Sequence, residues 1–529
     1  MNMYQKIADI AKLYPHEIAL SCNNKHMTYA SLFEHIEIAT YKCLHANIKP
    51  DDKVALLLPN IFECVILLYA LNQLGCTVVM LHPLSSPAMI QKRCELVGVS
   101  KVFVLDALAH RYTSILSKKN TIIISMANTL KGFEKVFLKA KYAFKFRKIK
   151  FDKLKSTPTG YIPSNNKDAV ILFSSGTTGE QKAISLSSEA FNALADQMKQ
   201  QVTPEVGIDS MYCVLPFFHG FGLGVSLHGV LAIGGRCVLV PRLKKKTMVN
   251  ELLKERPTYI AGVPYLYRIL LNDKTFISSD LSFIKEAFVG GELVAPQLIE
   301  KFNALLKEKK AKGSLRIGYG MSEATTAITL SEPFDSTPHC VGYPLDGNTI
   351  KIIKEDNSEA EVYEHGEICV AGLVLMNGYY NNPKLTKQVF SKRDGVQYYH
   401  SSDIGYKDEK GRIYFSHRSD ELIKVKGYFV NPLEVEEQLY KVKGCMEVKV
   451  FVSEKEVLCA MMVFDKKYPK EVLIEKTTEA LSTLDRWCIP KQYYVVSEIP
   501  KNEMRKYDLK RINQSLYLQT IQSLEEWTH

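Results

Sequence analysis

The sequence contains no run of 18 apolar residues, so nothing in it reads as a membrane span. No two of its 12 cysteines stand at CxxC spacing, and no histidine cluster accompanies them. That argues against a disulfide framework and against a zinc site, and it favours reduced thiols in a cytoplasmic chain. The N-terminal stretch lacks the apolar run and small-residue cleavage site of a signal peptide, because Lys6, Asp9 and Lys12 interrupt it. There is no GxxxxGK[ST] loop, no internal repeat and no low-complexity tract. Excess charge is slight: 68 Lys+Arg against 57 Asp+Glu gives +11. Most of it sits in one segment, 131–155, with ten basic residues and the two acids Glu134 and Asp152. A nucleic-acid binder more often builds a basic face from several segments, so no nucleic-acid partner is expected.

What is present is a large apolar fraction, 46%, in a chain of 529 residues. One core seldom serves that length, so at least two domains are expected. Val54–Pro59 reads as a buried strand, Phe62–Leu74 as a helix stopped by Gly75, and Val78–Leu81 as a strand. Ser86–Val97 reads as a helix stopped by Gly98, and Lys101–Leu105 as a strand again. The alternation continues to Pro296–Lys309 and predicts an α/β architecture with parallel pairing. After about residue 340 short alternating segments predict a smaller β-rich subdomain. From Asp420 onward the pattern predicts a compact α+β unit. The expected division is a large domain, residues 1–419, of layered α/β subdomains and a β-rich subdomain, followed by a small mobile α+β domain, 420–529.

Six stretches carry chemistry. Phe173-Ser-Ser-Gly-Thr-Thr-Gly-Glu-Gln-Lys182 begins where a strand ends. Its glycines let backbone N–H groups converge on an anion, and hydroxyls plus a lysine add donors and charge. Val289-Gly-Gly-Glu-Leu293 and Arg316-Ile-Gly-Tyr-Gly-Met-Ser-Glu-Ala-Thr325 follow. Then come Tyr399-His-Ser-Ser-Asp-Ile-Gly405 and, from His417, Arg418-Ser-Asp-Glu-Leu-Ile-Lys-Val-Lys-Gly-Tyr428. Near the end stands Ile499-Pro-Lys-Asn-Glu-Met-Arg-Lys506.

In that order these motifs resemble the adenylate-forming superfamily of acyl- and aryl-CoA ligases, luciferases and peptide-synthetase adenylation domains. The resemblance runs over roughly residues 15–515. It implies that Ser174, Thr177, Thr178 and Lys182 hold the outer phosphates of ATP. Gly291, Glu292 and Leu293 line one side of the adenine and Tyr319 packs on the other. Ser322 contacts phosphate, and Glu323 holds Mg²⁺. Asp403 accepts from the ribose hydroxyls and Arg418 adds a ribose and phosphate contact. Asp420 is the hinge, Lys506 the lysine that joins substrate carboxylate to α-phosphate, and Lys424 serves a second, thioester-forming arrangement.

The sequence departs from the family at several places. Gln181 and Ala183 replace Pro and Gly, Ser401-Ser402 replaces Thr-Gly, His417 replaces Gly, and Met504-Arg505 replaces Ser-Gly.

The resemblance implies two steps: a carboxylate displaces pyrophosphate from ATP, then the acyl-adenylate is passed to a thiol. CoA is the expected acceptor, or the phosphopantetheine arm of a free-standing carrier protein. Around the acid we place His219, Phe221, Gly320 and Met321, which suit a fatty or aryl acid. His219 stands where amino-acid-activating relatives carry an Asp. A third reading is a non-catalytic nucleotide- or lipid-binding relative. Finally, residues 133–146 put Phe133, Val136, Phe137, Ala140, Ala143 and Phe144 on one side of a helical projection with lysines opposite, while Leu138, Tyr142 and Phe146 break the pattern; segment 131–155 is a candidate for peripheral contact with anionic lipid.

Overall fold

The computed structural model describes residues 1–528 except 113–114, 116–119, 126–148, 165, 175–181, 243–244, 420–422, 426–427, 455, 466, 502–506 and 518–524. Thr177, Thr178, Asp420, Lys506 and most of segment 131–155 therefore lie outside the described residues.

Most expected elements form where the pattern places them. The helix Phe62–Leu74 ends on Gly75 at φ 80°, and Pro87–Val97 is capped by Ser86 and ends on Gly98 at φ 70°. Both glycines occupy the left-handed conformation that terminates a helix cheaply. Phe62–Leu74 is buried on nearly every face, which explains its continuous apolar sequence.

The strands assemble into two large sheets. One runs parallel from Val170–Ser174 through Thr77–Met80, Lys53–Leu57, Lys101–Leu105 and Thr121–Ile124 to Ile149–Lys150. The other is 14-stranded among the described residues. Its parallel half includes Ser210–Cys213, Tyr259–Gly262, Glu286–Gly290 and Leu315–Tyr319. At Thr329–Leu330 pairing turns antiparallel and continues through Cys340–Pro344, Ile413–Arg418, Val396–Lys407 and Gly366–Ala371 to Thr349–Ile353. The β-rich region expected after residue 340 is thus not a detached sheet. It is hydrogen-bonded onto the parallel strands through Thr329–Leu330 and Cys340–Pro344.

Residues from Val430 on form their own apolar clusters, around Val448, Leu458 and Tyr493 and around Phe451, Met461 and Ile512. They build a four-stranded sheet flanked by Pro432–Tyr440, Lys470–Leu481 and Leu509–Tyr517. This unit meets the preceding chain through polar ties. Arg268 pairs with Glu447 at 3.4 Å, His339 with Glu437 at 2.7 Å, and the Lys501 ammonium lies 4.4 Å over the Tyr265 ring.

Candidate active site

The site lies where parallel strand ends face the antiparallel half of the large sheet. Open α/β sheets bind ligands at such places because loops diverge there. Ser174 closes one strand and Lys182 opens the next, and the two residues pair across them. The hydroxyl-rich turn between them is the one outside the described residues. Strand Glu286–Gly290 leads into Gly291 at φ 83°, a conformation that favours glycine, and then into Glu292 and Leu293. Next to it, Leu315–Tyr319 delivers Tyr319, then Gly320, Met321 and a short 3₁₀ turn, Ser322–Ala324. A Cβ on Gly320 would collide with the Thr326 carbonyl oxygen, so only glycine closes this turn.

Two charged constellations result. In the first, the Lys182 ammonium lies 5.3 Å over the Tyr379 ring, and the Tyr379 hydroxyl donates to Glu323 Oε1 at 3.1 Å. Lys182 and Glu323, expected at the phosphates and the metal, therefore meet on one tyrosine. In the second, Tyr319 Oη donates to Asp403 Oδ2 at 2.6 Å, and Arg418 Nε lies 3.2 Å from Asp403 Oδ1. Asp403 and Arg418 are opposite one another across adjacent strands. Burial pushes the Tyr399 phenol well up, and the charges of Glu323 and Asp403 both add to that shift. Both acids thus act on the same tyrosine. Burial likewise raises the Tyr319 phenol, with Asp403 next in effect, so Tyr319 stays a neutral donor.

The replaced neighbours of Asp403 carry the turn. Ser401 Oγ accepts the Asp403 N–H at 3.0 Å and donates to the Ile368 carbonyl at 2.7 Å. Ser402 takes φ 61°, the conformation a glycine holds without penalty, and its N–H is accepted by Glu367 at 2.8 Å.

The acid-side residues divide. Phe221 opens a wide π-helical segment, Phe221–Gly229, and lines an apolar cavity with Met198, Met211, Val225, Tyr259 and Phe288. The cavity reaches Gly318, one residue from Tyr319. His219, Gly320 and Met321 do not line it. The His219 ring sits 5.1 Å from Phe218, whose other neighbour is His82 at 4.3 Å.

Lys424 lies in a short strand, Ile423–Val425. Lys506 is flanked by Lys501 and Tyr507, which bridge one another. The Tyr507 phenol is raised by burial first, and more weakly by several charges that include Glu292.

Sequence reading gave no role to Tyr399, though it opens one of the stretches quoted above, and missed Tyr379 altogether. A Gly-Tyr-Tyr run far from every motif gives no sign of chemistry; only the sheet brings it beside Glu323 and Lys182.

A family model for AMP-binding enzymes matches residues 7–380. The chain belongs to the AMP-binding enzyme family. It is 29% identical to a long-chain-fatty-acid–CoA ligase of Bacillus subtilis, over 96% of this chain and 93% of that protein. A 4-coumarate–CoA ligase of Narcissus pseudonarcissus is also 29% identical, over 79% and 75%. Among solved structures, an anthranilate CoA ligase in complex with anthranoyl-AMP superposes with TM-score 0.83 at 19% identity, covering 98% of both chains. An o-succinylbenzoate CoA synthetase of Bacillus subtilis, in complex with ATP and magnesium, gives 0.77 at 23%, covering 98% and 99%. These likenesses give the fold: a large N-terminal and a small C-terminal domain.

Proposed function

We propose that this enzyme activates a fatty acid with ATP to an acyl-adenylate and passes the acyl group to the thiol of CoA, releasing AMP. The observation that carries the choice of acid is the cavity behind Phe221. Its wall is almost wholly apolar, and it ends beside the strand that delivers Tyr319. A carboxylate can sit at the nucleotide while its tail leaves water. The cavity holds only about 80 Å³, so a long tail must displace side chains, and the flexible Met198 and Met211 in the wall suit that.

The residues divide the work. Asp403 accepts from the ribose hydroxyls, with its own orientation set by Tyr319 and Arg418. Lys182 offsets charge on the departing pyrophosphate, and the hydroxyls of Ser174, Thr177 and Thr178 donate hydrogen bonds to it. Ser322 donates to phosphate, while Gly291, Glu292 and Leu293 face the adenine. The carboxylate of Glu323 suits Mg²⁺, a hard cation that shields the phosphate oxygens when bound. Lys506 draws the substrate carboxylate toward the α-phosphorus and stabilises charge there. One site cannot present that lysine and a thiol path together, so residues 420–529 turn about Asp420 and bring Lys424 forward for thioester formation.

The test is pyrophosphate release across fatty and aryl acids of graded length, with and without CoA. Activity confined to short aryl acids would defeat the fatty-acid reading. An acceptor panel with a phosphopantetheinylated carrier protein separates the two thiols. A non-catalytic nucleotide- or lipid-binding relative would show no acid-dependent ATP–pyrophosphate exchange.

Membrane-derived substrate would also give segment 131–155 a role, resting on anionic lipid. Its end is fixed to the protein, since Ile149–Lys150 extends the parallel sheet and Phe151 is buried. No helix among the described residues is long and apolar enough to cross a membrane. Retention on anionic vesicles at low salt, lost when the lysines of 131–155 are neutralised, checks this.

A further inference from the structure

A cluster of metal-ligating side chains stands behind the turn that carries Asp403. Cys369 and His400 are directly opposed across the strands Gly366–Ala371 and Val396–Lys407. Glu367 is two residues before Cys369 and so faces the same way. The ligand atoms of all three lie within 4.8 Å of one another. His400 Nδ1 is 2.7 Å from Glu367 Oε2 and 3.4 Å from Cys369 Sγ. The other ring nitrogen, Nε2, is 2.7 Å from Ser391 Oγ, which can accept its proton. A histidine held this way turns Nδ1 toward the carboxylate and the thiol, as a ligating imidazole is held by a partner on its far nitrogen.

One nitrogen, one sulfur and one carboxylate oxygen on hydrogen-bonded strands make a donor set for a borderline-soft divalent cation. The His400 and Glu367 side chains are 21% and 26% exposed, which leaves an entry path and room for a water as fourth ligand.

We propose that Glu367, Cys369 and His400 form a zinc site that ties these two strands together beside the ribose-binding turn. The link to the turn is direct: the other Glu367 oxygen accepts the Ser402 N–H, one residue before Asp403. Sequence spacing hides the site, because His400 follows Cys369 by 31 residues.

The test is titration of the metal-stripped full chain with Co²⁺ in place of Zn²⁺. The expected result is a sulfur-to-cobalt charge-transfer band that saturates at one equivalent and is displaced by Zn²⁺. Cys369→Ser loses the band. Glu367→Gln retains an acceptor for Ser402 N–H and is expected to fold, yet to bind Co²⁺ at least tenfold more weakly. Zn²⁺ raises the thermal midpoint of the parent and not of Cys369→Ser. Absence of the sulfur band in the parent, its persistence in Cys369→Ser, or unchanged affinity in Glu367→Gln overturns the proposal.

Discussion

Replacing Tyr379 by Phe isolates one hydrogen bond in the phosphate end of the site. The ring stays, so the Lys182 ammonium keeps the aromatic face 5.3 Å away. The fold stays too, because the ring is nearly fully buried and Phe has the same shape. What is lost is the O–H that reaches Glu323 Oε1 at 3.1 Å. A hydrogen bond to a charged group contributes about 1.5–3 kcal/mol, and each 1.4 kcal/mol is roughly tenfold. The Tyr399 hydroxyl, 3.5 Å from that of Tyr379, recovers part of this by turning toward the acid. The expected outcome is a Mg²⁺ requirement raised roughly tenfold in ATP–pyrophosphate exchange, with the rate at saturating Mg²⁺ within about threefold of the parent. Mn²⁺ binding in the presence of ATP, followed by electron paramagnetic resonance, gives the same shift without turnover. Tyr379→Leu also removes the ring under Lys182 and is expected to raise the KM for ATP as well. If Tyr379→Phe leaves the Mg²⁺ requirement unchanged, Tyr379 does not position Glu323 and the reasoning fails.

Three further outcomes are expected. Lys506→Ala loses a positioned ammonium and with it about 2.7–4 kcal/mol of transition-state stabilisation, so acyl-adenylate formation falls about 10²–10³-fold while the melting temperature holds; exchange at the parent rate would remove the lysine from the mechanism. His228 is fully buried between the Tyr69 hydroxyl and Asn192 Oδ1, each at 3.0 Å, and burial lowers its imidazole to about 3. The folded chain then resists a proton that the unfolded chain takes below its ordinary pKa of about 6.5, so stability falls by at most about 1.4 kcal/mol per unit as pH drops from about 6.5 toward 3. His228→Gln is expected to flatten that slope in urea melts at pH 7, 6 and 5, and an unchanged slope counts against it. Gly320→Ala places a methyl against the Thr326 carbonyl and should lower ATP binding more than tenfold, read by isothermal titration.

The order of elements was legible because local physics sets it. Phe62–Leu74 carries its own glycine stop, Pro87–Val97 both a serine cap and a glycine stop, and Lys101–Leu105 its own run of strand formers. The motifs that mark the family were legible for a similar reason: a turn that approaches phosphate needs glycines and hydroxyls wherever it occurs. The residues expected to carry adenylation were assigned through the family resemblance of those short stretches. The constellations around them could not be. Tyr379 becomes a partner of Glu323, Glu367 a support for Ser402, and Cys369 a neighbour of His400 only because strand register sets residues tens of positions apart on one face. Register follows from the burial of whole faces, a property of the packed sheet that no short window of sequence contains. The same holds for the joining of the antiparallel strands after residue 340 to the parallel sheet. It holds also for the apolar cavity, whose wall takes Met198, Phe221, Tyr259, Phe288 and Leu330 from five separate stretches that look in sequence like ordinary core.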